Sequence, residues 1–282
     1  LPRTRVCRTL NIEYPIFLAG MGGVCGPSLT AAVSNAGGFG VMGGSGLYPD
    51  ELDRMIKDTR KLTDKPFGVD LLMPEELPSQ GSLATAQADI PAKYRDFVEK
   101  LRQEIGVPPA KVIALRRKLS DELVRKQIDV ILDNKVPVLA LGLGTPSWVP
   151  EKAHKAGTLV TGLVGNVKNA KRLAGRGVDI IVAQGHEAGG HTGRIGTMAL
   201  VPQVVDAVKP IPVLAAGGIG DGRGLAAALA LGADGVWVGT AFIATNEAFA
   251  EFLNTNYTNK ATVDNWKRCI LEATEEDTRV TR

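Results

Sequence analysis

Short apolar runs rich in β-branched residues alternate with amphipathic stretches along almost the whole chain. Runs of this length, each ending at glycine or a turn signal, read as buried strands. They fall at residues 14–20 (YPIFLAG), 39–42, 66–73, 136–143, 159–164, 179–184, 211–216 and 236–238. Helical stretches separate them. Residues 29–36 are closed by Gly37 and Gly38, and a second helix opens at Pro49-Asp50-Glu51 and ends on Lys57, Arg60 and Lys61, as the helix dipole prefers. Further helices are expected at 121–134 behind the cap Ser120, then at 147–156, 167–174, 197–208 and 224–231, with two more near 246–254 and 262–273.

Eight strands alternating with helices predict right-handed crossover units that close into a (β/α)8 TIM barrel. A doubly wound open sheet is the alternative. Such sheets usually have fewer strands and a single glycine-rich turn, whereas here nearly every apolar run ends in glycine. The period slips once: residues 74–118 are polar, carry several prolines and hold one amphipathic stretch near 92–105. They read as an insertion after strand three, a lid within a single barrel spanning 1–282.

Ligands of such barrels sit where strands end, and the chemistry-bearing residues lie there. The run 179–184 stops in Gly185-His186-Glu187-Ala188-Gly189-Gly190-His191-Thr192-Gly193. His191, after two glycines, is the candidate acid or base, since neutral imidazole accepts a proton near physiological pH. His186 is read as pointing outward, Glu187 as orienting a ring or capping the next turn, and His154 as a surface residue. Gly217-Gly218-Ile219-Gly220 and Gly239-Thr240 end strands seven and eight. Loops at those two positions can bind a phosphate through backbone N–H groups, because glycine lets the backbone approach closely. No GxGxxG stands in the context a dinucleotide fold requires. A phosphate-bearing cofactor is expected. Cys25 is read as a small buried thiol, and Trp237 as lining the site or filling the barrel.

Composition narrows the classes. The net charge of +3, without a Lys/Arg block and with 5% aromatic residues, gives nucleic-acid binding little support. Three widely spaced cysteines suggest neither a disulfide framework nor a zinc site. No apolar run reaches the ~18 residues of a membrane span and no signal peptide is visible, so a cytoplasmic protein is expected. The chain begins at Leu1 rather than Met, which leaves its natural start open.

Seven segments in order carry a family resemblance: PIFLAGMGGV at 15–24, AVSNAGGFG at 32–40, FGVDLLMP at 67–74, GLVGNV at 162–167, AQGHEAGGHTG at 183–193, AAGGIGDGRG at 215–224 and GVWVGT at 235–240. Together they resemble the nitronate monooxygenases, formerly 2-nitropropane dioxygenases. The resemblance implies an FMN-binding barrel. It places Ala19, Gly20 and Met21 against the flavin ring system, with Gln184, Gly189 and Gly190 holding the flavin from strand six. Gly217, Gly218, Gly239 and Thr240 would bind the FMN phosphate, and His191 matches the catalytic histidine. Asp70 stands where many relatives carry Asn beside the flavin. An ionised carboxylate there would repel a reduced, anionic flavin. Relatives also usually continue beyond the position of Arg282.

The first functional expectation is therefore FMN-dependent oxidation of alkyl nitronates by O2 to a carbonyl compound and nitrite, with His191 as base or substrate-orienting residue. Cousins with a similar barrel make the alternative an NAD(P)H-dependent reductase of enoyl thioesters or quinones. A third reading is a flavin-binding barrel without turnover. The expected partners are a small nitronate or nitroalkane and O2, with neither nucleic acid nor membrane, and a homodimer kept open.

Overall fold

The computed structural model describes residues 3–74, 91–104, 106, 120–253 and 259–278. In chain order these form α1 (Arg5–Leu10), β1 (Ile16–Leu18), α2 (Pro27–Asn35), β2 (Gly40–Gly43), α3 (Pro49–Leu62), β3 (Phe67–Leu72) and α4 (Ala92–Glu104). There follow α5 (Asp121–Asp133), β4 (Val138–Gly142), α6 (Trp148–Lys155), β5 (Leu159–Val164), α7 (Val167–Gly175), β6 (Ile180–Gln184) and α8 (Thr197–Val208). The last are β7 (Val213–Ala216), α9 (Gly222–Ala230), β8 (Gly235–Val238), α10 (Thr240–Ile243), a 3-10 turn at Ala250–Phe252 and α11 (Lys260–Glu272).

All eight strands are parallel, in the order β1-β8-β7-β6-β5-β4-β3-β2. Phe39 closes the ring: its N–H donates to Ile16 O at 2.9 Å and its carbonyl accepts from Leu18 N at 3.0 Å. The fold is a (β/α)8 barrel. Because partners in register share a face, the pairs Gly43↔Asp70, Asp70↔Ala140 and Ala140↔Thr161 put Asp70 on the barrel's inner side. The pairs Gln184↔Ala216, Ala216↔Trp237 and Phe17↔Trp237 carry the same face around the other half.

Aromatic residues fill the lower interior. Phe17 packs on Phe39 with ring centroids 5.1 Å apart and stacks on Trp237 at 6.4 Å. Val6, Cys7 and Leu10 of α1 join this cluster from the N-terminal end of the barrel. Arg5 fastens that helix, its Nε and Nη2 donating to Asp234 Oδ1 and Oδ2 at 2.7 and 2.6 Å. The larger core lies between sheet and helices, as with Leu52 and Ile56 of α3 against Val124, Ile128 and Ile131 of α5. Each such side chain contributes about 1.5–3 kcal/mol by leaving water. Exposed pairs such as Lys57–Asp53 add little beside this, because water screens them. Packing therefore holds the barrel.

Boundaries depart from the pattern for local reasons. The six-residue helix α1 and the four-residue α10 are too short to establish a helical period and were not expected. The helix expected near 246–254 gives way to the 3-10 turn, because Phe249 is left-handed at φ +68. Strand β4 stops at Gly142, since Leu143 has φ +69. The lid expectation for 74–118 falls outside the described residues except at Pro74, 91–104 and Gly106, where α4 matches the anticipated amphipathic stretch.

Candidate functional site

The strand ends open into one cavity of about 900 Å³. The residues that the sequence assigned to the site line it: Ala19, Gly20 and Met21 after β1, Asp70 in β3, Gln184, Gly189, Gly190 and His191 at and after β6, Gly217 and Gly218 after β7, and Gly239 and Thr240 after β8.

The floor on the β1–β3 side is built by close approach. A Cβ on Gly20 would lie 2.2 Å from Asp70 Cβ, so only glycine lets the β1 exit pass over that side chain. Asp70 is 8% exposed, and its Oδ1 is buried with no hydrogen-bond partner among the described residues. Burial pushes its carboxyl well above the usual carboxylate range. Cys25 lies nearby, its thiol donating to Ala19 O at 3.3 Å. Burial pushes that thiol up to about 12, against an opposing hydrogen bond from the Met21 backbone. The thiol is accordingly the inert group the sequence suggested.

The loop after β6 is braced from within. Gln184 Nε2 donates to Gly189 O at 3.1 Å, and Gly190 takes φ +73 to turn the chain. His186 spends Nδ1 on Gly193 O at 3.1 Å, which closes the loop. Glu187 caps α8 rather than orienting a ring: its carboxylate accepts from Thr197 N at 2.9 and 3.1 Å and from Thr197 Oγ1 at 2.9 Å. Burial alone would raise the Glu187 carboxyl, but bonds from its own N–H and from Thr197 outweigh this and hold it below its ordinary value. His191 stands apart from this bracing. It is exposed at the cavity wall and makes no hydrogen bond among the described residues.

The opposite wall is rich in amides. Gly217 and Gly218 adopt φ +107 and +69, conformations that favour glycine. The N–H groups of Gly218, Ile219, Gly220, Gly239 and Thr240 donate to no backbone carbonyl among the described residues. Five such donors around a concave wall suit an anion. The N-terminus of α9 is not among them, because Asp221 caps it, accepting from Arg223 N at 2.9 Å and Gly224 N at 3.3 Å. Among the described residues no cluster could hold a metal ion. No helix among them is long and apolar enough to cross a membrane.

Some lining residues were given no site role from the sequence. Leu143 and Gly144 follow β4, Gly165 and Asn166 follow β5, and Ile270 arrives from α11. The glycines after those strands were a signal of the same kind as the ones used. Leu143, 44% exposed in a left-handed conformation, had none.

A barrel whose strand-exit loops converge on a cavity with an exposed histidine, a buried acid and a wall of amides belongs to the class of cofactor-using (β/α)8 enzymes. The comparisons narrow that class. The family model described as nitronate monooxygenase matches residues 3–279. A protein of Staphylococcus saprophyticus named "Probable nitronate monooxygenase" is 36% identical over 99% of this chain and 75% of its own. Among solved structures, FabK from Thermotoga maritima superposes with TM-score 0.75 at 34% identity, over 100% of this chain and 71% of that one. A nitroalkane oxidase from Streptomyces ansochromogenes gives 0.72 at 34% identity, over 87% of this chain and 70% of that one. The chain belongs to the nitronate monooxygenase family and is an oxidoreductase.

The cofactor that the family implies is a flavin. The residues present fit one. The cavity has the volume of a cofactor site, its amide wall suits a phosphate, and Ala19, Gly20 and Met21 line its β1 side with no charged group.

Proposed function

We propose that the chain binds FMN and oxidises alkyl nitronates with O2, giving a carbonyl compound and nitrite. The observation that carries this reading is the convergence, in one cavity, of the exposed His191 with the amide wall at Gly217–Gly218 and Gly239–Thr240. One cluster of amides provides for one monophosphate, which favours FMN over a dinucleotide. Gly217, Gly218, Gly239 and Thr240 would hold the phosphate. Ala19, Gly20, Met21 and Asp70 would face the ring, and Gln184, Gly189 and Gly190 would confine it from β6. The flavin supplies the electron acceptor when bound.

His191 then has two tasks open to it. Its imidazole can hold the nitronate's negative charge, or it can take the α-proton of a neutral nitroalkane. The side chains that brace the loop, Gln184, His186 and Glu187, leave His191 outside their hydrogen bonds and available to a ligand. Purified protein should release FMN on denaturation, and with an alkyl nitronate should consume O2 and form nitrite. FAD in place of FMN, or O2 consumption without nitrite, would contradict the proposal.

A second reading draws on the outer wall. Leu72 and Leu143 are 37% and 44% exposed, and with Ile270 they give the cavity mouth an apolar side. That side suits an acyl chain, as an NAD(P)H-dependent reductase of enoyl thioesters would require.

A further inference from the structure

Asp70 is the strongest unexplained group in the molecule. It faces the barrel interior at the level where the cavity begins, and it lines that cavity. Around it stand Ala19, Gly20 and Met21 from the β1 exit, Gly43 and Gly44 from β2, and Ala140 from β4. None of these side chains carries a charge or a hydrogen-bond donor. The Cys25 thiol, on the same side of the barrel, is committed to Ala19 O. Buried Oδ1 thus has no partner among the described residues, and the carboxyl's one polar outlet is the cavity. An ionised carboxylate in this setting would face a full desolvation cost without a compensating cation. A neutral acid costs far less and has a proton to give.

We propose that Asp70 is held as the neutral carboxylic acid and donates its proton in a hydrogen bond to the bound flavin, so that flavin retention depends on that proton. The inference rests on the flavin reading of the cavity and adds the protonation state and the direction of the bond. A carboxyl kept neutral by apolar surroundings can serve as a donor where a carboxylate would only repel. It also removes the conflict between an acid and an electron-rich ring: the neutral group offers what an asparagine amide would offer. As pH rises and the acid ionises, the donor is lost and a negative charge takes its place.

Two measurements decide this. In the infrared spectrum of the purified protein at neutral pH, a C=O stretch of a protonated carboxyl should be present and should vanish in Asp70→Asn. Only a carboxylate band in the wild type overturns the proposal. Flavin dissociation constants, read by fluorescence against pH, should nearly coincide for wild type and Asp70→Asn at neutral pH. At alkaline pH the wild type should weaken while Asp70→Asn does not. Asp70→Leu, which lacks a donor, should bind roughly tenfold more weakly at neutral pH, the worth of one net hydrogen bond. Identical pH dependence in wild type and Asp70→Asn overturns the donor role. A chain that binds no flavin in any variant overturns the flavin reading and this bond together, and the infrared band distinguishes that failure from an ionised Asp70.

Discussion

At the scale of single residues, the cavity presents one buried acid, Asp70, and one exposed imidazole, His191. Burial raises the Asp70 carboxyl well above 3.8, so the folded chain keeps a proton that the unfolded chain releases. Its stability contribution is therefore full below about pH 3.8 and is lost progressively as pH rises towards the folded value. Asn cannot ionise, so Asp70→Asn should melt at a higher temperature than wild type at neutral pH, with the gap closing as pH falls. Melts at matched flavin content over a pH series measure this, and a gap that widens towards acid would contradict it. For His191 the expectation concerns substrate choice. If it is the general base, His191→Asn should slow a neutral nitroalkane by roughly 10²–10⁴-fold, the usual contribution of acid–base catalysis. A preformed nitronate should suffer much less. Equal large losses on both would show that His191 orients the anion instead. His191 was legible because two glycines set it beyond a strand end. The protonated state of Asp70 was not, because a carboxyl's state depends on neighbours from β1, β2 and β4 that only folding assembles.

At the scale of elements, the strand exits do the positioning. Thr197 Oγ1, the first side chain of α8, lies within hydrogen-bond reach of Glu187 and of Gly217 O at 3.0 Å, which ties the loop after β6 to the loop after β7. Gly218 sits beside this junction at φ +69, with Glu187 Cβ 3.5 Å from where its own Cβ would be. Gly218→Val should lower FMN content by straining the turn and placing a branched side chain against the amide wall. Flavin content is measured per folded protein, checked by circular dichroism, and full occupancy in this variant would sink the phosphate assignment. Interior stretches of these elements were readable from apolar period alone: residues 159–164 and 197–208 match β5 and α8 end to end. Ends were harder. Strand β7 begins at Val213 rather than Ile211, and α9 begins two residues early because Asp221 caps it. Helix α1 escaped notice because six residues hold fewer than two turns of pattern, and one of its packing partners, Trp237, lies far along the chain.

For the whole molecule, the count of alternating strands was enough to reach the (β/α)8 barrel, and the glycines at strand ends pointed to the functional face. What pattern could not supply was closure, made by Phe39 between β1 and β2, and the merging of loops from every side into one cavity. That cavity underlies the central claim: an FMN enzyme whose electrons come from a nitronate. The most direct test is the flavin absorbance of the purified protein after anaerobic mixing, in separate experiments, with an alkyl nitronate and with NADH. The account predicts that the nitronate bleaches the flavin rapidly, that NADH leaves it oxidised, and that admitting O2 restores the colour with release of nitrite. Rapid bleaching by NADH with no response to the nitronate would contradict it.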